Sequence, residues 1–89
     1  MVNRNGVWKV DYQKRLRDLR EDFDKTQQEI ADYLGTSQTM YARYERGANE
    51  LPIRHLIKLS LLYDVSTDYI LCLTDCSKRF RSFPQIDIQ

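Results

Sequence analysis

His55 is the single histidine of this 89-residue chain, and Cys72 and Cys76 are its two cysteines. These three side chains are the natural candidates for metal ligation, acid–base work or thiol chemistry. The cysteines lie four residues apart, near enough to share a helical face, but no other Cys or His is close to them in sequence. That falls short of a zinc set, so no metal and no cofactor is expected, and the thiols are expected to be reduced. No glycine-rich phosphate loop is present either. With a single histidine there is nothing from which to assemble a catalytic site, and an enzyme is not expected. What remains is the hydrogen-bonding chemistry of amides, hydroxyls and guanidinium groups, which depends on the elements that hold them.

Those elements read as five helices. Tyr12, Leu16, Leu19 and Phe23 recur at helical spacing with charges between them, and Asp11 precedes them as an N-cap. Thr26-Gln27-Gln28-Glu29 has the form of a capping box, in which the threonine oxygen accepts from the backbone of Glu29 and the Glu29 carboxylate reaches back. Ile30, Ala31 and Leu34 make the inner face of this second helix, and Gly35 supplies the left-handed residue that closes it. Ser37 caps a third helix from about Gln38 to Arg46, stopped by Gly47, with Tyr41 and Tyr44 inward and Gln38, Thr39 and Arg43 pointing elsewhere. Pro52 opens a fourth, with Leu56, Leu59, Ser60 and Tyr63 as its inner positions and Asp64 at its end. Ser66 caps a short fifth helix from Thr67 to about Cys72. The expected organisation is an N-terminal arm over 1–10, a helical domain over 11–76 and a basic, aromatic tail over 77–89.

Composition sets the outer limits. Hydrophobic residues make up 42% of the chain and charged residues 30%, with three Gly and two Pro, which excludes a low-complexity or collagen-like chain. No apolar run is long enough to span a bilayer and no signal-peptide core is present, so a cytoplasmic protein without membrane contact is expected. The formal net charge is only +1, which makes the distribution of charge more informative than its sum. Arg4 and Lys9 stand without acids in 1–10, and Lys78, Arg79 and Arg81 face only Asp87 in 77–89.

Two short helices joined by a tight glycine turn form the bihelical DNA-binding motif. The run Thr26-Gln27-Gln28-Glu29-Ile30-Ala31-Asp32-Tyr33-Leu34-Gly35-Thr36-Ser37-Gln38, followed by Tyr44-Glu45-Arg46-Gly47, closely resembles the Cro/C1-type, or Xre, family of helix-turn-helix regulators. Leu16, Leu19 and Arg20 resemble that family's first helix; Lys58-Leu59-Ser60 and Val65-Ser66-Thr67-Asp68 resemble its fourth and fifth. The resemblance covers roughly residues 12–74. It implies an all-α fold, a compact five-helix lambda-repressor-like DNA-binding domain with helices 2 and 3 as the helix-turn-helix, and a prokaryotic or phage transcriptional regulator, most often a repressor. It also implies a small residue, Ala31, where helices 2 and 3 approach closest, and an ion pair between Arg20 and Glu45 that braces helix 1 against helix 3. Asp24-Lys25 stands where the family commonly has Gly-Leu, and Cys72 where a glycine is common.

A recognition helix lies in the major groove and reads base edges from near its N-terminal end. In this frame Gln38, Thr39 and Arg43 are the expected base readers, with Ala42 close by; glutamine pairs with adenine, arginine with guanine, and Met40 or the Thr39 methyl can touch a thymine methyl. Gln27 and Ser37 are expected on phosphates at the helix N-termini, with Arg46 and Asn49 as further phosphate contacts. The segment Thr26–Gly47 carries two arginines against three acids, so one copy neutralises few phosphates. A homodimer on a palindromic site is therefore expected; Leu61, Leu62 and Leu73 are its candidate patch or else pack under the C-terminal tail. The competing expectation is a protein-interaction module of the same fold (antitoxin, antirepressor or docking subunit) with a protein partner and little DNA binding.

Overall fold

The computed structural model describes residues 11–78, and these form five helices: α1 (Tyr12–Asp22), α2 (Gln27–Leu34), α3 (Gln38–Arg46), α4 (Ile53–Tyr63) and α5 (Thr67–Ile70). No strand occurs among the described residues, and none of their helices is long and apolar enough to cross a membrane. The arm 1–10 and residues 79–89 lie outside the described residues. Ser77 is described, and its carbonyl accepts from the Ser66 N–H at 2.9 Å. The expected domain boundary at 76 therefore runs through a segment tied to the start of α5.

Side chains close most helix ends. Asp11, Ser37 and Ser66 each accept from the backbone N–H three residues on, in Lys14, Met40 and Tyr69. The Thr26–Glu29 capping box is complete: Thr26 Oγ1 accepts from Glu29 N–H at 3.0 Å and the Glu29 carboxylate accepts from Thr26 N–H at 2.8 Å. Gly35 and Gly47 end α2 and α3 in the left-handed region, at φ +77° and +81°. Asp24, Asp64 and Cys72 adopt that conformation without glycine's freedom. Cys72 explains why α5 ends at Ile70 rather than near Cys72 as the sequence suggests. Leu71 caps the helix, Cys72 turns left-handed at φ +64°, and Leu73 N–H closes onto the Asp68 carbonyl at 2.9 Å.

One core joins the helices. Leu16 and Leu19 of α1, Ile30, Ala31 and Leu34 of α2, Tyr41 and Tyr44 of α3, Leu59 and Tyr63 of α4, Val65, and Ile70 of α5 are all buried. Helix α1 meets α5 through Arg15, whose guanidinium lies 3.9 Å above the Tyr69 ring and donates to the Tyr69 carbonyl at 2.6 Å. Leu56, expected inside, is only partly buried; His55 takes the deeper place at 3% exposure. Its ring meets Tyr44 edge-on at 5.8 Å, and neither ring nitrogen has a hydrogen-bond partner among the described residues.

Burial, helped by the nearby charges of Arg54 and Lys58, holds the His55 pKa below the ordinary histidine range. Around and below the unfolded value of about 6.5 the unfolded chain binds this proton more readily than the folded one. Stability carried by neutral His55 is present above that range and lost as pH falls toward the folded pKa. The midpoint of thermal unfolding should therefore drop between pH 7 and 5 more in the wild type than in His55→Phe, which keeps a ring against Tyr44. Equal pH slopes would refute this role.

Candidate nucleic-acid interface

The sequence between Thr26 and Gly47 builds two short helices at a fixed angle, because Gly35 and the Ser37 cap leave only a tight turn between them. Ala31, at the position where the resemblance implies a small residue between α2 and α3, is fully buried. Tyr41 and Tyr44 point into the core at 6.3 Å from one another. With that side of α3 committed, Thr39 and Arg46 are exposed, while Gln38, Ala42 and Arg43 are partly exposed. Met40 is partly exposed and packs in part against the core, whereas Thr39 is exposed.

Gln38 ends a continuous chain of hydrogen bonds that begins on α1. Arg20 grips Glu45 with two bonds, Nε to Oε2 at 2.7 Å and Nη2 to Oε1 at 3.1 Å. The side chains are 13% and 5% exposed, so this is a buried, bidentate ion pair. Gln27 Nε2 donates to the same carboxylate at 3.1 Å, and Gln38 Nε2 donates to Gln27 Oε1 at 2.7 Å. The acceptor-only carboxylate fixes the Gln27 amide with its nitrogen inward; that turns Gln27 Oε1 toward Gln38 and commits a Gln38 N–H to it. Gln38 keeps its own oxygen and a second N–H. Burial works to raise the Glu45 pKa, but the bonds from Arg20 and Gln27, the neighbouring Tyr41 hydroxyl and the Arg20 charge hold it below the ordinary glutamate range. Burial first, then the Glu45 carboxylate beside it, pushes the Tyr41 hydroxyl well above the usual tyrosine range. The carboxylate is thus charged and the phenol neutral throughout the working pH range.

Arg43 is held from the far end of α3. Its Nε donates to Asn49 Oδ1 at 2.6 Å, across the turn made by Gly47. Ser37 uses its hydroxyl oxygen to cap α3, which leaves its O–H as a donor. The first-turn N–H groups of α2 and α3 lack intrahelical backbone partners, and Thr26 and Ser37 cap one of them in each helix. Gln27, Gln38 and the start of α3 thus come together. Arg43 and Asn49 form a second pair at the other end of the helix.

The candidate association patch divides. Leu61 and Leu73 are 58% and 59% exposed, whereas Leu62 is partly buried against the core. Leu62 follows the inner stripe of α4 and is only partly exposed. Sequence reasoning missed Ile53 and Ile57, which are 74% and 51% exposed and share a helical face with Leu61. The signal was present as three aliphatic residues at four-residue spacing. Cys72 and Cys76 are free thiols, and no cluster of metal-ligand side chains forms among the described residues.

Five helices around one core, with a capped bihelical pair whose second helix keeps an open polar side, define a helix-turn-helix domain. The helix-turn-helix family model HTH_3 matches residues 16–70, more than half of the chain, and the chain belongs to this family, of the Cro/C1 type. It is 42% identical over 64 residues to the uncharacterized HTH-type transcriptional regulator YobD of Bacillus subtilis (strain 168), covering 72% of this chain and 57% of that protein. It is 39% identical over 66 residues to the HTH-type transcriptional regulator ImmR of the same organism, covering 74% and 52% respectively. The chain thus spans little more than half the length of these relatives. Among solved structures, the P22 c2 repressor protein in complex with synthetic operator 9T matches with a TM-score of 0.62 at 27% identity, over 67% of this chain and 91% of that one.

Proposed function

We propose that this chain binds double-stranded DNA sequence-specifically as a transcriptional regulator, most often acting as a repressor, with α3 in the major groove. The observation that carries the reading is the hydrogen-bonded series Arg20–Glu45–Gln27–Gln38, which holds a glutamine amide at the open N-terminal end of α3. Likeness to a repressor crystallised on its operator supports the same docking. Gln38, Thr39 and Arg43 read bases, and Gln27 (through its backbone N–H at the start of α2), Ser37, Arg46 and Asn49 contact phosphates. The reading assigns no catalytic activity and no cofactor, and it places the protein in the cytoplasm, where prokaryotic or phage operators lie.

Homodimerisation belongs to this proposal, since a two-fold site doubles the phosphate contacts of a segment with no net positive charge. Leu61 and Leu73 supply exposed apolar area for it. One observation favours the protein-interaction reading: the outward face of α4 pairs Ile53, Ile57 and Leu61 with Arg54 and Lys58 and carries no acid. Duplex binding measured over a range of salt separates the two. The DNA reading expects affinity that falls steeply with salt and differs between sequences; tight binding to a protein partner with no preference for any duplex at low salt sinks it. Within the DNA reading, Arg43→Ala should cost about 1–3 kcal/mol on the best site and relax preference at one position. A small uniform loss over all sequences would make Arg43 a phosphate contact.

A further inference from the structure

We infer that Asn49 is a positioning residue for base recognition: it aims the Arg43 guanidinium and thereby sets which base pair the C-terminal half of α3 prefers. The inference rests on Arg43 reading a base, as proposed above. Asn49 holds Arg43 at two points, accepting from the side-chain Nε at 2.6 Å and donating its backbone N–H to the Arg43 carbonyl at 3.4 Å. Ala48 N–H also donates to that carbonyl, at 2.9 Å, so the turn after α3 closes directly over Arg43. Gly47 makes this return possible by its left-handed φ of +81°, with the Gln13 side chain nearest the space a Cβ would fill.

The chemistry of the guanidinium gives the contact its consequence. Arginine has five N–H donors in a rigid planar fork and no acceptor. With Nε committed to Asn49, the side-on pair of donors is broken up and the end-on pair, Nη1 and Nη2, stays open. That end-on fork matches the O6 and N7 acceptors of guanine. Holding one edge also removes rotamers that a long exposed arginine otherwise samples, so less freedom is lost on binding. Asn49 keeps its amide nitrogen, and any phosphate contact it makes through that nitrogen is compatible with bracing Arg43.

Binding of the 89-residue chain to its best duplex and to every single-base-pair variant of it, for Asn49→Ala, Asn49→Asp, Arg43→Ala and the Asn49→Ala/Arg43→Ala double variant, tests this. Asn49→Ala should lower preference about tenfold at the one position that Arg43→Ala also relaxes, and the double variant should discriminate no worse than Arg43→Ala alone. Asn49→Asp keeps the acceptor, so it should keep the preference at that position while losing overall affinity by repulsion from phosphate. A uniform loss for Asn49→Ala with a shallower salt dependence, beside a position-specific loss for Arg43→Ala, overturns the inference and leaves the base-reading role of Arg43 standing. A uniform loss for Arg43→Ala overturns both.

Discussion

Glu45→Ala is expected to lower stability by about 3–5 kcal/mol. The change leaves the Arg20 guanidinium, 13% exposed, without its carboxylate, and strips Gln27 of the acceptor for its amide. Removing one partner of a buried pair costs far more than the pair itself contributes, because the remaining charge has lost both water and its counter-ion. At roughly 4–8 °C per kcal/mol for a domain of this size, the thermal midpoint should fall by more than about 10 °C. The double variant Arg20→Met/Glu45→Leu should recover most of that loss, since it buries no unpaired charge. It should not recover base preference, because the Gln27 amide that orients Gln38 has lost its anchor. A Glu45→Ala protein that melts with the wild type would contradict the buried-pair assignment.

Ala31→Leu is the second large effect. Ala31 is completely buried on α2, and in a close-packed core three added carbons must displace their neighbours; the family resemblance makes α3 that neighbour. Overpacking of this kind costs about 1–3 kcal/mol, and the strain is relieved by moving α3 away from α2. Duplex affinity should therefore fall more than the melting temperature alone implies, since the edge that joins Gln27 to Gln38 opens. Ala31→Gly is the matched control. It costs about 1 kcal/mol through helix propensity but leaves the interhelical distance alone, and it should largely retain binding. An unchanged melting temperature for Ala31→Leu would refute the close-packing role.

The helices were legible in the sequence because their ends are chemically marked. Thr26 with Glu29, Ser37 and Ser66 announce starts, and Gly35 and Gly47 announce stops, each through a local hydrogen bond or a backbone conformation that needs no tertiary context. Cys72 turns left-handed without being glycine, so α5 stops at Ile70, short of the end its sequence suggests. His55 is buried although Arg54 and Lys58 flank it, because the helical angle that exposes those two turns position 55 toward Tyr44. Met40 and Leu62 are partly buried against the core: an apolar residue at the border of a helix face is assigned to core or surface by its neighbours, not by its spacing.

At the interface, residue types were legible and their partnerships were not. Gln38 and Arg43 stand out as polar residues on a helix whose tyrosines face inward. The Gln27–Gln38 bond spans the turn between two helices, and the Arg43–Asn49 bond depends on the path of the chain after Gly47. Neither separation has a periodic signature. The resemblance to Cro/C1-type regulators supplied the brace between Arg20 and Glu45 as an expectation; the distances place both carboxylate oxygens against that one guanidinium.

Selection of duplexes from a random pool by the 89-residue chain, at low salt, tests the central claim of sequence-specific recognition by α3 most directly. A defined sequence should be enriched in two-fold related half-sites about one helical turn apart, with loss of individual base preferences when Gln38 or Arg43 is replaced by alanine. A bound pool indistinguishable from the input, or an enriched motif unaffected by both substitutions, would contradict it.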